Sequence, residues 1–206
     1  MPRKRYTGNV MQMMVFPSHK TLKHQLLENH RDHVVLYGPS KLIEKHELSL
    51  EHVVPLSVLK DSVNPVATKD PLNIFLSYTP VNNLRGNFRI SFAHLDTSKT
   101  ELERKMKQCV SENTDALEHI GYGNCIQKHQ RIFYPRAFDL PLLAATIVAM
   151  YDKWIFKLGD VTVEEYQTLN AIAQLKCSCT SGFKMFEKHS MAHYNRCNSC
   201  GKLRPM

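Results

Sequence analysis

Residues 48–55 read Leu48-Ser49-Leu50-Glu51-His52-Val53-Val54-Pro55, and apolar side chains alternate with polar ones through the first four positions. A period of two is typical of a β-strand that has one face against a core. Pro55 lacks a backbone N–H, so it is expected to end the strand or to lie at a sheet edge. The sequence therefore predicts a strand that finishes close to the adjacent Glu51 and His52.

A second strand and a helix are predicted further along. Residues 73–78 are rich in β-forming side chains, and Thr79 and Pro80 then supply an N-cap and an N1 proline. An apolar stripe is expected to bury one face of the helix, and its members are Val81, Leu84 and Phe88. The predicted order is strand, loop, strand and helix, within about 45 residues.

Three side chains of this segment suit the hydrolysis of a phosphodiester. The reaction needs an activated water and positive charge near the developing anion. His52 is a natural general base, because the unperturbed imidazole pKa is about 6.5. Glu51 and the side-chain carbonyl of Asn82 could give two oxygen ligands to one Mg²⁺ ion, which prefers oxygen and keeps several waters.

An ordinary structural explanation competes with this chemistry. On a regular strand Glu51 and His52 point to opposite faces, so both reach one phosphate only if the backbone bends there. His52 could instead be a core histidine, and Glu51 a solvated charge. Asn82 and Arg85, at i and i+3, would by themselves be an exposed polar face opposite the apolar stripe.

The order and spacing of these segments resemble a known signature. Glu51-His52-Val53-Val54-Pro55, Asp70-x-x-Asn73-Ile74 and Val81-Asn82-x-x-Arg85-x-Asn87-Phe88 resemble the endonuclease I family, a branch of the His-Me finger (ββα-metal, HNH-like) nucleases. Fainter similarity continues at Phe133-Tyr134-Pro135 and at a helix that ends in Ala149-Met150-Tyr151. The similarity spans about residues 45–175, and its specific motifs lie between 51 and 88.

The resemblance implies a fold, a reaction and a set of roles. It implies an α+β fold in which a mainly helical domain is built around a ββα-metal finger. His52 would be the general base, and Glu51 and Asn82 the ligands of one Mg²⁺ ion. Asn73 would be a structural amide near the site, while Arg85 and Asn87 would brace the helix or touch phosphate, so that Arg85 joins His52 as a catalytic candidate. The family cleaves DNA, and often RNA, with little sequence preference and leaves 5′-phosphate ends.

The chain departs from that family at two positions. Leu72 stands where the family usually has a histidine, and Ala145 stands where its long helix carries a phosphate-binding arginine. Another basic side chain would have to replace that arginine, and the candidates are Lys45, Arg89, Lys128 and Arg131. The exported, disulfide-bearing context of the family is also absent from the sequence pattern.

The last 30 residues contain four of the six cysteines, as Cys177-x-Cys179 and Cys197-x-x-Cys200. Because no export signal is recognised, a tetrahedral Zn²⁺ site is a better interpretation than disulfides, and the module should resemble a zinc ribbon or knuckle. His189 or His193 could replace one cysteine, and four unligated thiols are the alternative. Cys109 and Cys125 are expected to be buried thiols.

The predicted organisation has three parts: a basic arm at 1–12, a nuclease domain at 13–175 and a zinc module at 176–206. Within the domain, further helices are expected after the Ser98-x-x-Glu101 capping box, from Asp139-Leu-Pro141 to Trp154 as the central core helix, and from Thr162 to about Leu175.

A net charge of +8, from 27 basic and 19 acidic residues, favours polyanionic partners, although it also suits ordinary solubility. No apolar run approaches the roughly 20 residues of a membrane span, and no signal peptide is recognised, so an intracellular protein of unknown compartment is expected. No protein partner can be recognised from the sequence.

Three hypotheses remain open from the sequence. The first is a Mg²⁺-dependent endonuclease that cleaves DNA, and RNA as well if it follows the family, with low sequence specificity. The second is a site- or structure-specific HNH-type endonuclease. The third is a nucleic-acid-binding protein that keeps the nuclease fold without catalysis, which the missing arginine at Ala145 keeps open.

Overall fold

The structure, a computed structural model, describes residues 16–28, 34–39, 43–60, 65–91, 117–136, 138–154, 163–173, 186–188, 194–197 and 203–205. For the last three of these ranges the description covers the backbone. The predicted arm at 1–12 and the predicted helix after Ser98 lie outside the described residues.

The first sheet contains the segment with Glu51 and His52. Strands β1 (Val35–Leu36), β2 (Leu48–His52) and β3 (Ile74–Tyr78) lie in the order β1-β3-β2. β2 is antiparallel to β3, with Leu48 opposite Tyr78 and His52 opposite Ile74, and β1 is parallel to β3. Both strands predicted for this segment are confirmed. β2 ends before Pro55 as expected, because the chain bends after His52 and helix α2 (Leu56–Lys60) begins just after the proline.

Two helices pack on opposite faces of the β2–β3 pair. Helix α1 (His19–Glu28) covers one face, and a core of buried apolar side chains holds it there: Leu22, Leu26, Ile43, Leu48, Ile74 and Leu76. Helix α3 (Thr79–Arg85) follows β3 directly and contacts both strands. Because successive strand side chains alternate, Leu48 faces α1, whereas Glu51 faces α3.

Helix α3 is confirmed, but two of its predicted details are wrong. Thr79 is the first helical residue rather than the N-cap, since Tyr78 has the extended backbone of a cap residue. The predicted apolar stripe is also different: Val81 is buried, but Leu84 is 46% exposed and Arg85 takes the buried position. The helix ends at Gly86, whose φ of +51° suits glycine because it has no Cβ.

A second sheet and two longer helices form the larger core. Strands β4 (Arg89–Ile90), β5 (Glu118–Gly121), β6 (Asn124–Gln127) and β7 (Ile132–Tyr134) lie in the order β4-β7-β6-β5. Helix α4 (Leu140–Trp154) is buried along most of its length and packs against α5 (Val163–Ala173), so both predicted helices are confirmed. Phe75 on β3 joins this core, which leaves β3 buried on both faces.

The loop between α2 and β3 is attached to α4 by one buried carboxylate. Asp70 accepts a hydrogen bond from Trp154 Nε1 at 2.7 Å and forms an ion pair with Lys153 Nζ at 2.7 Å. It also accepts the backbone N–H of Leu72 at 3.0 Å. These contacts hold the loop that leads into β3, and they therefore help to position Asn73 and strand β3.

The C-terminal region contains a third, antiparallel sheet. Strands β8 (Phe186–Lys188), β9 (Tyr194–Cys197) and β10 (Leu203–Pro205) lie in the order β10-β9-β8. Helices and sheets occur together throughout the described ranges, which confirms the α+β class. No helix in those ranges is both long enough and apolar enough to cross a membrane.

Candidate active site

Glu51 lies in a buried cluster on the α3 face of β2. Its Oε1 accepts a hydrogen bond from the Tyr37 hydroxyl at 2.9 Å and pairs with Arg85 Nη1 at 2.7 Å. The carboxylate also accepts the backbone N–H of His52. Glu51 and Arg85 are 3% and 2% exposed, so this is an ion pair away from water. Its charges are compensated by each other and by hydrogen bonds, as a buried pair requires.

Arg85 joins helix α3 to the end of β2. Its Nη1 donates to the carbonyl of His52 at 3.2 Å, and its Nη2 donates to the carbonyl of Val53 at 3.0 Å. We call this group, in which Arg85 binds Glu51 and the carbonyls of His52 and Val53, the Arg85 clamp. It explains why Arg85 displaces Leu84 from the buried face, because only the guanidinium can satisfy a buried carboxylate and two strand-end carbonyls.

Tyr37 is held in place by contacts from distant parts of the chain. Its φ is +64°, an uncommon conformation for a side chain of this size. Its N–H donates to Asp139 Oδ2 at 2.8 Å, and its carbonyl accepts from Asn124 Nδ2 at 3.0 Å. Arg136 donates to both Asp139 oxygens, at 2.7 and 3.0 Å. These side chains therefore fix the hydroxyl that contacts Glu51.

The buried position changes the acidity of both groups. Burial raises the pKa of Glu51 from its usual value, and the nearby Arg85 charge and the Tyr37 hydrogen bond oppose the rise. Burial also raises the pKa of Tyr37 well above its usual value, and the negative charge of Glu51 adds to the effect. Tyr37 therefore stays protonated and donates its hydrogen bond to the carboxylate at neutral pH.

Asn82 is attached to the same face of β2 as Glu51. Its Nδ2 donates to Ser49 Oγ at 3.0 Å and to the carbonyl of Leu50 at 3.1 Å. Both amide hydrogens are thereby used on the strand, and the carbonyl oxygen Oδ1 has no hydrogen-bond donor among the described residues. Asn82 is half-exposed on α3, and this oxygen can accept a ligand.

His52 points to the opposite face, toward α1. Its ring meets that of His19 edge to face, with centroids 5.0 Å apart and an angle of 67°. His52 Nε2 is buried and has no hydrogen-bond partner among the described residues. Burial lowers the pKa of His52 to about 4, and the nearby His19 and Arg85 contribute to the fall. His52 is therefore neutral at pH 7, which is the form that can accept a proton.

His19 is a neighbour that sequence reasoning missed. It is the first residue of α1, and its Nε2 donates to the carbonyl of Thr68 at 3.1 Å. No motif connects His19 with His52, because their contact depends on how α1 packs across β2. The sequence pattern also gives no sign of four other residues near the site, Tyr37, Asn124, Arg136 and Asp139. Tyr37 precedes Gly38-Pro39-Ser40, which is typical of a turn, and Asp139 is typical only of a helix start.

Asn73 holds the bend that follows β2. Its side chain makes two hydrogen bonds to the backbone of Val54: Oδ1 accepts from the N–H at 2.7 Å and Nδ2 donates to the carbonyl at 2.9 Å. The carbonyl of Asn73 also accepts from the N–H of Val53 at 3.1 Å. Asn73 is completely buried, so its amide serves the backbone and is shielded from solvent.

The two positions that depart from the endonuclease I pattern lie in apolar surroundings. Leu72 is half-buried against the larger core, and Ala145 is 9% exposed within α4. Lys128 pairs with Glu118 at 2.6 Å, and Lys45 is exposed on a short 3₁₀ turn. Arg131 donates to Asn87 Oδ1, so Asn87 is coupled to a basic side chain.

Little of the predicted zinc site lies within the described residues. Cys197 ends β9, whereas Cys177, Cys179, Cys200, His189, His193 and Cys109 fall outside. Cys125 is buried as predicted, and burial raises the pKa of its thiol to about 11. Among the described residues, no group of three His, Cys, Asp or Glu side chains could hold a metal ion.

Of the two predicted Mg²⁺ ligands, Asn82 fits the ion and Glu51 does not. Asn82 Oδ1 is a suitable oxygen, and Mg²⁺ commonly takes one or two protein ligands together with water and substrate phosphate. Glu51 does not fit as a second ligand in this arrangement, because its carboxylate already accepts from Tyr37, Arg85 and the His52 N–H. A cation at Glu51 would also lie against the positive guanidinium.

Comparison with known proteins gives no family for the chain: no family model and no curated protein sequence matches it. The site must therefore be interpreted from its own chemistry. It has a neutral imidazole with an unpartnered Nε2 on the α1 face of the strand end. The amide oxygen of half-exposed Asn82 and the buried Glu51–Arg85 ion pair lie on the opposite, α3 face, so the structure does not bring His52 together with them.

Proposed function

We propose that this protein is a metal-dependent endonuclease that hydrolyses phosphodiester bonds in DNA with low sequence specificity and leaves 5′-phosphate ends. The observation that carries the proposal is the β2–β3–α3 unit, in which Arg85 binds the carbonyls of His52 and Val53. Two antiparallel strands followed by a helix that braces the end of the first strand are the arrangement expected of a ββα-metal finger, and they support the proposal.

His52 is the general base in this proposal. Its neutral ring accepts a proton from water on Nε2 as the water oxygen bonds to phosphorus. The bond from phosphorus to the 3′ oxygen breaks, and the 3′ oxygen keeps the electron pair and takes a proton from solvent. The phosphate stays on the 5′ oxygen of the downstream fragment, which therefore has a 5′-phosphate end. Arg85 and Asn73 act as positioning residues, because they hold the backbone on either side of the bend after His52.

Asn82 would hold the Mg²⁺ ion through Oδ1, with water and phosphate oxygens completing the coordination. Because His52 lies on the α1 face, the proposal requires its side chain to turn toward the α3 face when nucleic acid binds. When bound, the ion supplies positive charge that stabilises the departing oxygen. In the proposal Glu51 does not coordinate the ion, and it instead holds Arg85 in place through their ion pair. The net charge of +8 supports a polyanionic substrate.

A structural zinc module at 176–206 is part of the proposal. The antiparallel β8–β9–β10 sheet supports it, since β9 ends at Cys197, the first cysteine of the Cys197-x-x-Cys200 pair. Four cysteine ligands would leave no open coordination position, which suits a structural site. Elemental analysis of the purified chain should give one zinc per molecule, and a Cys177→Ser, Cys179→Ser double variant should lose it.

The experiment that tests the activity is plasmid digestion with Mg²⁺ or with EDTA. Wild-type protein should nick and degrade the plasmid to a smear, and EDTA should stop it. His52→Ala should lower the rate by about 10²–10⁴-fold, the usual effect of removing a general base. His46→Ala, an exposed histidine on the 3₁₀ turn, is the matched control and should cleave normally. Discrete bands would instead indicate a site-specific enzyme.

A second candidate is favoured by two specific observations. The engagement of Glu51 with Arg85, and the burial of His52 Nε2, are also expected of a protein that binds nucleic acid without cutting it. Tight DNA binding with no cleavage in Mg²⁺ or Mn²⁺ would select this candidate over the endonuclease. The same digestion with RNA establishes whether the substrate includes both nucleic acids.

A further inference from the structure

An exposed basic group lies just beyond the C-terminal end of α3. Asn87 is two residues after Arg85, and Arg89 begins the edge strand β4. β4 pairs in parallel with β7, so the N–H of Arg89 donates to the carbonyl of Arg131 at 2.9 Å. Asn87, Arg89 and Arg131 are all exposed. We call these three residues the Asn87–Arg131 patch.

Arg131 is held in a specific position by its surroundings. Its φ is +55°, an uncommon conformation for this residue type, at the end of a turn closed by its N–H bond to Lys128 O at 3.2 Å. Its guanidinium donates to Asn87 Oδ1 and lies 6.0 Å from the Phe88 ring centroid. The side chain is therefore oriented before any ligand binds.

The partners of the Arg131 guanidinium are neutral. An amide oxygen and an aromatic ring orient the charge without cancelling it, and the described residues provide no carboxylate to Arg131. A guanidinium has five N–H donors, and Nη2 uses one of them here. The remaining donors form a planar fork that matches the oxygens of a phosphate.

Lys128, only three residues away, shows the opposite arrangement. Its ammonium pairs with Glu118 at 2.6 Å, and the two side chains are 61% and 45% exposed. Its charge is therefore already offset. Ala145, the position where the resembling family carries its arginine, is buried in α4. Of the four basic candidates, Arg131 therefore combines exposure, orientation and an uncancelled charge.

We propose that the Asn87–Arg131 patch binds the sugar-phosphate backbone of the nucleic acid. Arg131 contacts a phosphate with its free donors, Arg89 contacts a neighbouring phosphate, and Asn87 is a positioning residue for Arg131. The proposal rests on the endonuclease function for the identity of its ligand. It places the backbone at the end of α3, next to the helix that carries Asn82 and Arg85.

The test measures binding without cleavage. Fluorescence anisotropy of a labelled 20-base-pair DNA duplex, in EDTA and over a series of salt concentrations, gives both the affinity and its salt dependence. All variants are made in the full-length His52→Ala chain. Arg131→Gln and Arg89→Gln should each weaken binding about tenfold at low salt and reduce the slope of log K against log [salt] by about one.

Two further variants of the patch separate charge from folding. Arg131→Gly removes the guanidinium while suiting the positive φ, so it should bind as weakly as Arg131→Gln and be at least as stable. Asn87→Asp would pair with Arg131 and cancel its charge, so it should weaken binding more than Asn87→Ala does.

Lys128→Gln and Lys23→Gln are the controls, because Lys128 is already paired and Lys23 is exposed on α1, across the first sheet. Both should change the affinity by less than threefold. Unchanged affinity and salt slope in Arg131→Gln and Arg131→Gly would overturn the patch. No Mg²⁺-dependent cleavage by the wild-type chain, together with the expected loss of DNA binding in Arg131→Gln, would overturn the endonuclease proposal alone.

Discussion

The two faces of strand β2 differ in how their adjacent polar side chains, Glu51 and His52, are hydrogen-bonded. On the α3 face, Glu51 is buried and accepts from Tyr37, Arg85 and the backbone. On the α1 face, His52 is half-buried, and its buried Nε2 has no partner among the described residues. Buried polar groups are nearly always hydrogen-bonded, so a satisfied group indicates a structural role and an unsatisfied one invites a functional explanation.

Glu51 and His52, although adjacent in sequence, therefore have different surroundings. Glu51 and Arg85 hold the end of β2 against α3, and His52 is the residue that we propose exchanges a proton. The predictions below test that division, beginning with the residues that hold the structure.

Removing the guanidinium of the Arg85 clamp should have the largest effect on stability. Arg85→Met leaves the buried carboxylate of Glu51 without its cation, which typically costs about 3–5 kcal/mol. Urea unfolding followed by circular dichroism measures the change. Leu84→Gln is the control on the same helix, because Leu84 is 46% exposed, and it should change the free energy of unfolding by less than about 0.5 kcal/mol.

A double variant separates the ion pair from simple packing. Glu51→Leu combined with Arg85→Met removes both charges, so it should be clearly more stable than Arg85→Met alone. Equal stability of the single and double variants would mean that Glu51 does not depend on Arg85.

The α1 face should make stability depend on pH. Folding lowers the pKa of His52 to about 4, so between pH 6.5 and 4 the unfolded chain binds more protons at this site than the folded one. The contribution of neutral His52 is fully present above pH 6.5 and is lost as the pH falls through this range, by roughly 3 kcal/mol in total. Urea unfolding at several pH values measures this loss.

The matched variant for this pH series is His52→Gln, which should flatten that part of the profile. His46→Gln, on the exposed 3₁₀ turn, should keep the wild-type slope. The same slope in wild type and His52→Gln would show that the imidazole is not held neutral by burial.

Tyr37→Phe should lower the free energy of unfolding by less than Arg85→Met does, and by less than the loss of the His52 contribution at low pH. The substitution removes one hydrogen bond to a carboxylate that keeps its other donors, so a loss of about 1–2 kcal/mol is expected. Thermal or urea unfolding measures it. A loss as large as that of Arg85→Met would mean that the hydroxyl, rather than the guanidinium, is the main partner of Glu51.

Local patterns predicted the elements that carry the site. Period-two alternation, a proline and a β-forming run were enough for β2 and β3, and Thr79-Pro80 placed the start of α3 to within one residue. Those signals act over a few positions, so they are present in the sequence itself.

The side-chain partners could not be predicted in the same way. Periodicity predicted Leu84 on the buried face of α3, but Arg85 is buried instead because it binds acceptors at the end of β2. Those acceptors lie more than 30 residues earlier in the sequence, with a separation of 32 to Val53. Tyr37 depends on Asp139, which is 102 residues away. Such contacts follow from the packing of whole elements, and a single sequence carries no local trace of them.

The most direct test of the division between the two faces is imidazole rescue of the His52→Ala protein. The account predicts that this variant nicks supercoiled plasmid at least about 10²-fold more slowly than wild type in Mg²⁺, and that added imidazole restores part of the rate. The Arg85→Met protein should gain nothing from imidazole. Wild-type nicking by His52→Ala without imidazole, or a folded variant that imidazole leaves inactive, would contradict the assignment of proton transfer to His52.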